Sequence, residues 1–363
     1  MSNGIVIETR GLTRRFHDTA PRRGIARRRT AEQGSKADSH GSPATSSGIV
    51  AVDNLDLTVS AGEVFGFLGH NGAGKTTTIR LLNGVLGPTS GTMRVLGFDP
   101  TTEGPRLRRQ TGVLTETPSL DDRLTARETL TIYGTLYHVD AEMLPDRVAA
   151  LLEAFDLGTR ADELVGGYSK GMRQRLALAR TLIHEPRILF LDEPTASLDP
   201  VGQRSVHELI VDLSRGGGRT IFLCTHDLIE AQKLCDRVAV LEQGRVVASG
   251  TPEGLAQQLQ KGVAVEITFS ARASQTVRTA AAQVRNAEVG WSDDGHVAQA
   301  RLPIRDAVAD LVAALVDAGA RIYSIQPQEP TLEDVYFALH DHNATTGSLG
   351  VKQTGDHDHG GSL

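Results

Sequence analysis

Cysteine is scarce in this sequence: the 363 residues hold two, Cys224 and Cys235. Both fall in segments expected to be a buried strand and the helix after it, so a disulfide framework is excluded and reduced thiols are expected. Long hydrophobic runs are missing as well, since no stretch approaches the roughly 18 apolar residues that a membrane helix requires. The N-terminus lacks the basic, apolar and small-residue order of a secretion signal. A cytosolic chain that does not span a membrane by itself is the expectation. Excess positive charge is the third absence: 44 acidic against 38 basic side chains give a formal charge of −6, which removes the overall electrostatic reason to expect a nucleic-acid partner. What remains is ordinary for a folded protein, with 39% hydrophobic and 23% charged residues over a length that suits two domains.

From Gly62 onward, apolar runs alternate with helical stretches, the order of an α/β fold with a parallel sheet covered by helices on both faces. Val64–Leu68, Ile188–Leu191, Ile221–Cys224 and Val238–Leu241 are continuous apolar runs, as burial on both faces requires. Ile5 to Phe16 and Val50 to Val59 also read as strands. Between them a segment rich in Arg, Ser and Gly, residues 17–48, is expected to be a disordered insertion, its arginines (Arg22, Arg23, Arg27, Arg28, Arg29) solvated. Residues 124–180 turn helical and form an expected helical subdomain. This first domain is assigned residues 1–258.

Residues 259–342 are assigned to a smaller C-terminal α+β domain. Alternation at Val263, Val265, Ile267 and Phe269 opens it, and a helix over Ser274 to Asn286 follows. After two short strands comes a second helix with Ile304, Val308, Leu311, Val312 and Leu315 on one face, then a closing strand at Ile322 to Ile325. The order β-α-β-β-α-β is that of a ferredoxin-like fold. Residues 343–363 read as a flexible tail, in which His357 and His359 are more simply frayed chain than a metal site.

Gly69-His70-Asn71-Gly72-Ala73-Gly74-Lys75-Thr76 fits the phosphate-binding loop pattern, and it lies between an apolar strand and a helix, the context that pattern requires. The glycines let successive N–H groups face phosphates, Lys75 reaches the β- and γ-phosphates, and the Thr76 hydroxyl is placed for Mg²⁺. Asn71, Gly72, Ala73, Gly74, Lys75, Thr76 and Thr77 are therefore the expected ATP-binding residues. The run Ile188 to Leu191 ends in Asp192 and Glu193. One carboxylate meeting the metal and the next polarising water is a workable division of labour, which assigns Asp192 to Mg²⁺ and Glu193 to general-base catalysis.

Tyr168-Ser169-Lys170-Gly171-Met172-Arg173-Gln174, with Ser169 standing 23 residues ahead of Asp192, resembles the signature motif of ATP-binding cassette (ABC) proteins. Lys170 and Met172 depart from the commonest wording of that motif, while Ser169 and Gly171 keep it. The resemblance covers residues 5 to about 255 densely, and it implies that Ser169, Lys170, Gly171 and Met172 serve an ATP bound by a second copy of the chain. Ser197-Leu198-Asp199 resembles the dimer-contacting loop. His226 resembles the switch histidine and Phe16 the aromatic that stacks on adenine. Glu116 stands where the family usually has a glutamine that senses Mg²⁺ and the membrane subunit. Pro330 to Tyr336 looks like the end of the C-terminal extension in cassettes serving two-subunit exporters of drugs, lipids or polysaccharides.

The resemblance thus implies an ATPase with ATP and Mg²⁺, acting as a homodimer at the cytoplasmic face of the membrane, coupled to a separate integral membrane permease, with no nucleic-acid partner. A soluble ABC ATPase acting on ribosomes or DNA is the first rival. It needs two tandem cassettes or a long coiled coil, and one phosphate loop with 117 residues from Lys75 to Asp192 leaves no room for either. An importer ATPase is the second, disfavoured by the helical pattern from Ile304 to Val316.

Overall fold

Val64–Leu68 is buried at all five positions, and Ile188–Asp192 and Thr220–Thr225 are buried throughout as well. Strands of that kind have no polar face to turn to water and belong in the middle of a covered sheet. In the computed structural model they do. The six-stranded sheet runs in the order Thr111–Leu114, Ile188–Asp192, Thr220–Thr225, Val64–Leu68, Arg237–Glu242, Arg245–Gly250, and its first four neighbouring pairs are parallel. The structure describes residues 4–16, 48–196, 198–259, 262–328 and 331–337. The expected insertion 17–48, apart from Gly48, lies outside the described residues, as do Ser197, Pro330 and the tail 343–363.

The centre of this sheet is aromatic. Phe222 meets Phe65, Phe67 and Phe190 at ring-centroid distances of 5.7, 5.3 and 5.6 Å, and all four rings are fully buried. Each ring contributes apolar burial worth about 2–3 kcal/mol. Gly66, in the same strand, has to be glycine: a Cβ there would stand 2.7 Å from Cys235 Sγ and 2.9 Å from a Val238 methyl. Cys224 and Cys235 are both buried.

A second, three-stranded antiparallel sheet holds Ile5–Phe16 between Ile49–Ser60 and Ser90–Val95. Phe16 pairs with Ile49 at its end. The sequence pattern misses Ser90–Val95 and Arg245–Gly250, because an edge strand with alternate positions exposed and polar residues among them shows little apolar periodicity. Helix Pro100–Arg108 escapes it because Pro105 lies inside it and Glu103 departs from helical backbone angles, so its pattern is broken midway. Between residues 124 and 180 lie the helices Ala126–Leu136, Leu144–Ala154 and most of Lys170–Leu182. The first is opened by a reciprocal capping box, Thr125 with Glu128.

By contact density the chain divides into two units, one drawn from Met1–Asp227 and Leu234–Ala248, the other from Leu228–Lys233 and Ser249–Leu363. The second unit contains an antiparallel sheet in the order Glu288–Trp291, Val297–Leu302, Val263–Phe269, Ile322–Gln328. With helices Gln275–Gln283 and Asp306–Asp317 between its strands, this is the β-α-β-β-α-β order of a ferredoxin-like fold. Val265, Ile267 and Phe269 pack with Val277, Ala281, Leu311 and Leu315 in its core. Ile304 corrects the expected apolar stripe: it precedes the helix and is 60% exposed, and Ala307 takes the buried place. Among the described residues no helix is long and apolar enough to cross a membrane.

Candidate active site

The phosphate loop is shaped by two glycines that nothing larger can replace. A Cβ on Gly74 would sit 2.2 Å from the Ala51 carbonyl oxygen, and one on Gly69 would sit 2.6 Å from that of Leu241. Gly74 also adopts a φ of 114°, which L side chains rarely do. It is the N-cap of helix Lys75–Leu82 and offers no side-chain cap, so the helix presents its first N–H groups and the positive end of its dipole to whatever occupies the loop. The turn at Gln243 and Gly244, both with positive φ, braces the loop from outside: Gly244 N donates to the Ala73 carbonyl at 3.0 Å, and Gly244 O accepts from Asp53 N at 2.8 Å.

Five chemically active side chains converge at the start of that helix. Thr76 Oγ1 donates to Asp192 Oδ2 at 2.7 Å. Lys75 Nζ donates to the Gly69 carbonyl at 2.6 Å and lies 3.2 Å from Glu193 Oε1, a buried ion pair in which that oxygen has no aligned hydrogen bond. His226 Nδ1 lies 2.9 Å from Glu193 Oε2, so the two residues assigned to catalysis meet directly although 33 residues apart. One open cleft is lined by Asn71, Gly72, Gly74, Lys75, Thr76, Thr77, Glu116, Asp192 and Glu193, with His70 and Ala51 beside them. Ala73, the remaining loop residue, is buried beneath it.

Burial pushes the Asp192 carboxyl above the usual carboxylate range, the hydrogen bond from Thr76 opposes this, and the negative charges of Glu193 and Glu116 add to the rise. Three carboxylates thus face one cleft that a single lysine serves, an excess of negative charge that suits a divalent cation. Among the described residues no cluster of His, Cys, Asp and Glu could hold a metal unaided. Mg²⁺ is usually held by one or two carboxylates together with substrate phosphates. A carboxyl with a raised folded pKa stabilises the native state below the ordinary aspartate range and loses that contribution as pH rises through the raised value. Asp192→Asn is therefore expected to stabilise the nucleotide-free protein by roughly 0.5–2 kcal/mol at neutral pH, to shrink that gain as pH falls toward about 4, and to lose Mg²⁺-dependent hydrolysis. Thermal melting across pH, read as the difference from wild type, checks the sign.

The signature residues lie elsewhere. Ser169 caps helix Lys170–Leu182, its hydroxyl accepting from Met172 N at 3.3 Å. Ser169 and Lys170 are exposed and Gly171 half-buried, and none of them lines the cleft. The Met172 side chain turns inward, with its sulfur 3.8 Å from an Arg160 nitrogen. Asp199 caps helix Pro200–Val211 through Gly202 N at 2.7 Å. Phe16 is half-buried beneath the Arg14 guanidinium, 4.7 Å from its ring centroid, and is outside the cleft lining. Sequence reasoning missed Ala51, whose carbonyl closes the floor of the loop. An alanine in a strand carries no chemical signal of such a role.

A family model described as ABC transporter matches residues 52–196. The chain is 39% identical over 290 residues to the daunorubicin resistance ATP-binding protein DrrA3 of Streptomyces coeruleorubidus, covering 80% of this chain and 90% of that one. It is 36% identical over 295 residues to the Nod factor export ATP-binding protein I of Rhizobium sp. (strain N33), covering 80% and 92%. A solved structure of the ATP-binding subunit of an ABC transporter superposes with a TM-score of 0.56 at 27% identity, over 70% of this chain and 92% of that one. With its phosphate loop and acidic strand end assembled in one cleft, a histidine bonded to the second carboxylate, and such relatives matched over nine-tenths of their length, the chain belongs to the ABC transporter family as an ATP-hydrolysing, ATP-binding subunit.

Proposed function

We propose that two copies of this chain bind two ATP molecules head to tail and drive a separate integral membrane permease as an exporter. One observation carries the reading: Lys75, Thr76, Asp192 and Glu193 gather in one cleft, whereas the exposed helix N-terminus at Ser169 and Lys170 is outside it. A nucleotide held by the first set in one copy is completed by Ser169 and Gly171 of the other, whose N–H groups suit a γ-phosphate. Phe16 stacks on adenine, and Asp199 helps to join the copies. Mg²⁺, held by Thr76 and Asp192 with Glu116 nearby, shields the phosphate charge when bound. Glu193 orients and deprotonates the attacking water, His226 holds the Glu193 carboxylate, and Lys75 transfers its charge from Glu193 to the phosphates. Closure on ATP and opening after hydrolysis move the permease between two states.

The chain works peripherally at the cytoplasmic face of the membrane. A hydrophobic drug, antibiotic or lipid is the proposed cargo class, supported by relatives named for daunorubicin resistance and Nod factor export. The ferredoxin-like order of the second unit favours this reading over an importer, whose extra domain resembles a small β-barrel. Light scattering of the Glu193→Gln protein is expected to show a monomer without nucleotide and a dimer in MgATP, and Gly171→Glu in that background should keep it monomeric. A monomer in MgATP, or a dimer that ignores Gly171→Glu, removes the head-to-tail arrangement.

A further inference from the structure

Gln174 lies within the first turns of the helix that Ser169 caps, yet it is turned into the protein, with 4% of its surface exposed. Its Nε2 donates to the Pro194 carbonyl at 2.6 Å, one residue beyond Glu193. The Glu193 backbone needs such support: its φ of 52° lies in the left-handed region that non-glycine residues seldom occupy. Glu193 N donates to the Cys224 carbonyl at 2.9 Å, and Glu193 O accepts from Ala196 N at 3.2 Å. Gln174 supplies the hold on the chain immediately after it. At the other end of the residue, His226 and Lys75 fix the two carboxylate oxygens.

We propose that Gln174 is a positioning residue for Glu193 within its own chain, setting the backbone from which the carboxylate reaches the attacking water. Buried as it is, Gln174 has no access to a nucleotide on a second copy. It joins the helix opened by Ser169 to the carboxylate of its own site, so the opening turns of one helix serve two different ATP molecules. The proposal rests on Glu193 as the catalytic carboxylate.

Gln174→Met keeps the length of the side chain and removes the donor. In steady-state hydrolysis by the full chain, kcat is expected to fall by about tenfold to a hundredfold, with KM for ATP and the affinity for a fluorescent ATP analogue within about twofold of wild type. Placed in the Glu193→Gln protein, the same change should cost less than about twofold, because no carboxylate remains to be positioned. Equal losses in the two backgrounds, an unchanged kcat, or a loss confined to nucleotide affinity would each overturn the proposal. Gln174→Glu provides a second measurement if Gln174→Met does not fold. Its neutral acid donates to the carbonyl and its anion cannot, so its kcat relative to wild type should fall as pH rises, and a ratio independent of pH overturns the inference. If Glu193→Gln itself hydrolyses ATP as fast as wild type, the catalytic assignment fails. If Glu193→Gln is slow and Gln174→Met is not, only the role of Gln174 fails.

Discussion

Glu193→Gln is expected to lower ATP turnover by about 10²- to 10⁴-fold, the range that a positioned general base supplies, with nucleotide binding retained. The substitution keeps the size of the side chain and an oxygen within reach of His226, 2.9 Å from Glu193 Oε2 in the wild-type protein. It removes the charge and the basicity needed to take a proton from water. Phosphate release at saturating MgATP, beside the affinity for a fluorescent ATP analogue, measures the two properties separately. Turnover within a few-fold of wild type would move the water-activating role to another group and leave Glu193 as the internal partner of Lys75.

That partnership makes Lys75→Met the second large effect, and one that reaches beyond catalysis. Lys75 and Glu193 are both more than nine-tenths buried and stand 3.2 Å apart. Removing one partner of a buried pair leaves the other charge without compensation, which costs about 3–5 kcal/mol and lowers the melting temperature of the nucleotide-free protein by roughly 10 °C. Hydrolysis is lost with the phosphate contacts. Lys75→Met combined with Glu193→Gln should recover most of the melting temperature and none of the activity, since a neutral amide tolerates the same burial. A double variant no more stable than Lys75→Met would mean that the ion pair contributes little to the fold.

Much of the site was legible because its chemistry constrains neighbouring residues. Lys75 and Thr76 must follow a glycine-rich turn at a helix start, and Asp192 and Glu193 must end a buried strand, so local pattern is enough to find them. His226 was reachable through its distance from Glu193 along the chain, and the structure places it on that carboxylate. The fold was legible where strands are buried on both faces, as at Val64–Leu68, and where alternation is strict, as at Val263–Phe269. Legibility failed where a role depends on contact between distant backbones. Nothing in the residue types announces that the Ala51 carbonyl would stand 2.2 Å from a Gly74 Cβ, or that Gln174 faces Pro194 instead of solvent. Ile304 shows a different limit: an apolar residue two positions before a helix matches its periodicity without sharing its burial.

The pairing of Phe16 with Ile49 also bears on how this gene can change length. The chain leaves the antiparallel sheet at one of these residues and returns at the other, across a single rung of the ladder. For a flexible loop joining two such anchors, the cost of closure grows only with the logarithm of its length, about 0.6 kcal/mol for each doubling. Residues can therefore be gained or lost between these two anchors with little consequence for the strands they join, and this rung is a natural point for grafting an epitope or a reporter onto the cassette.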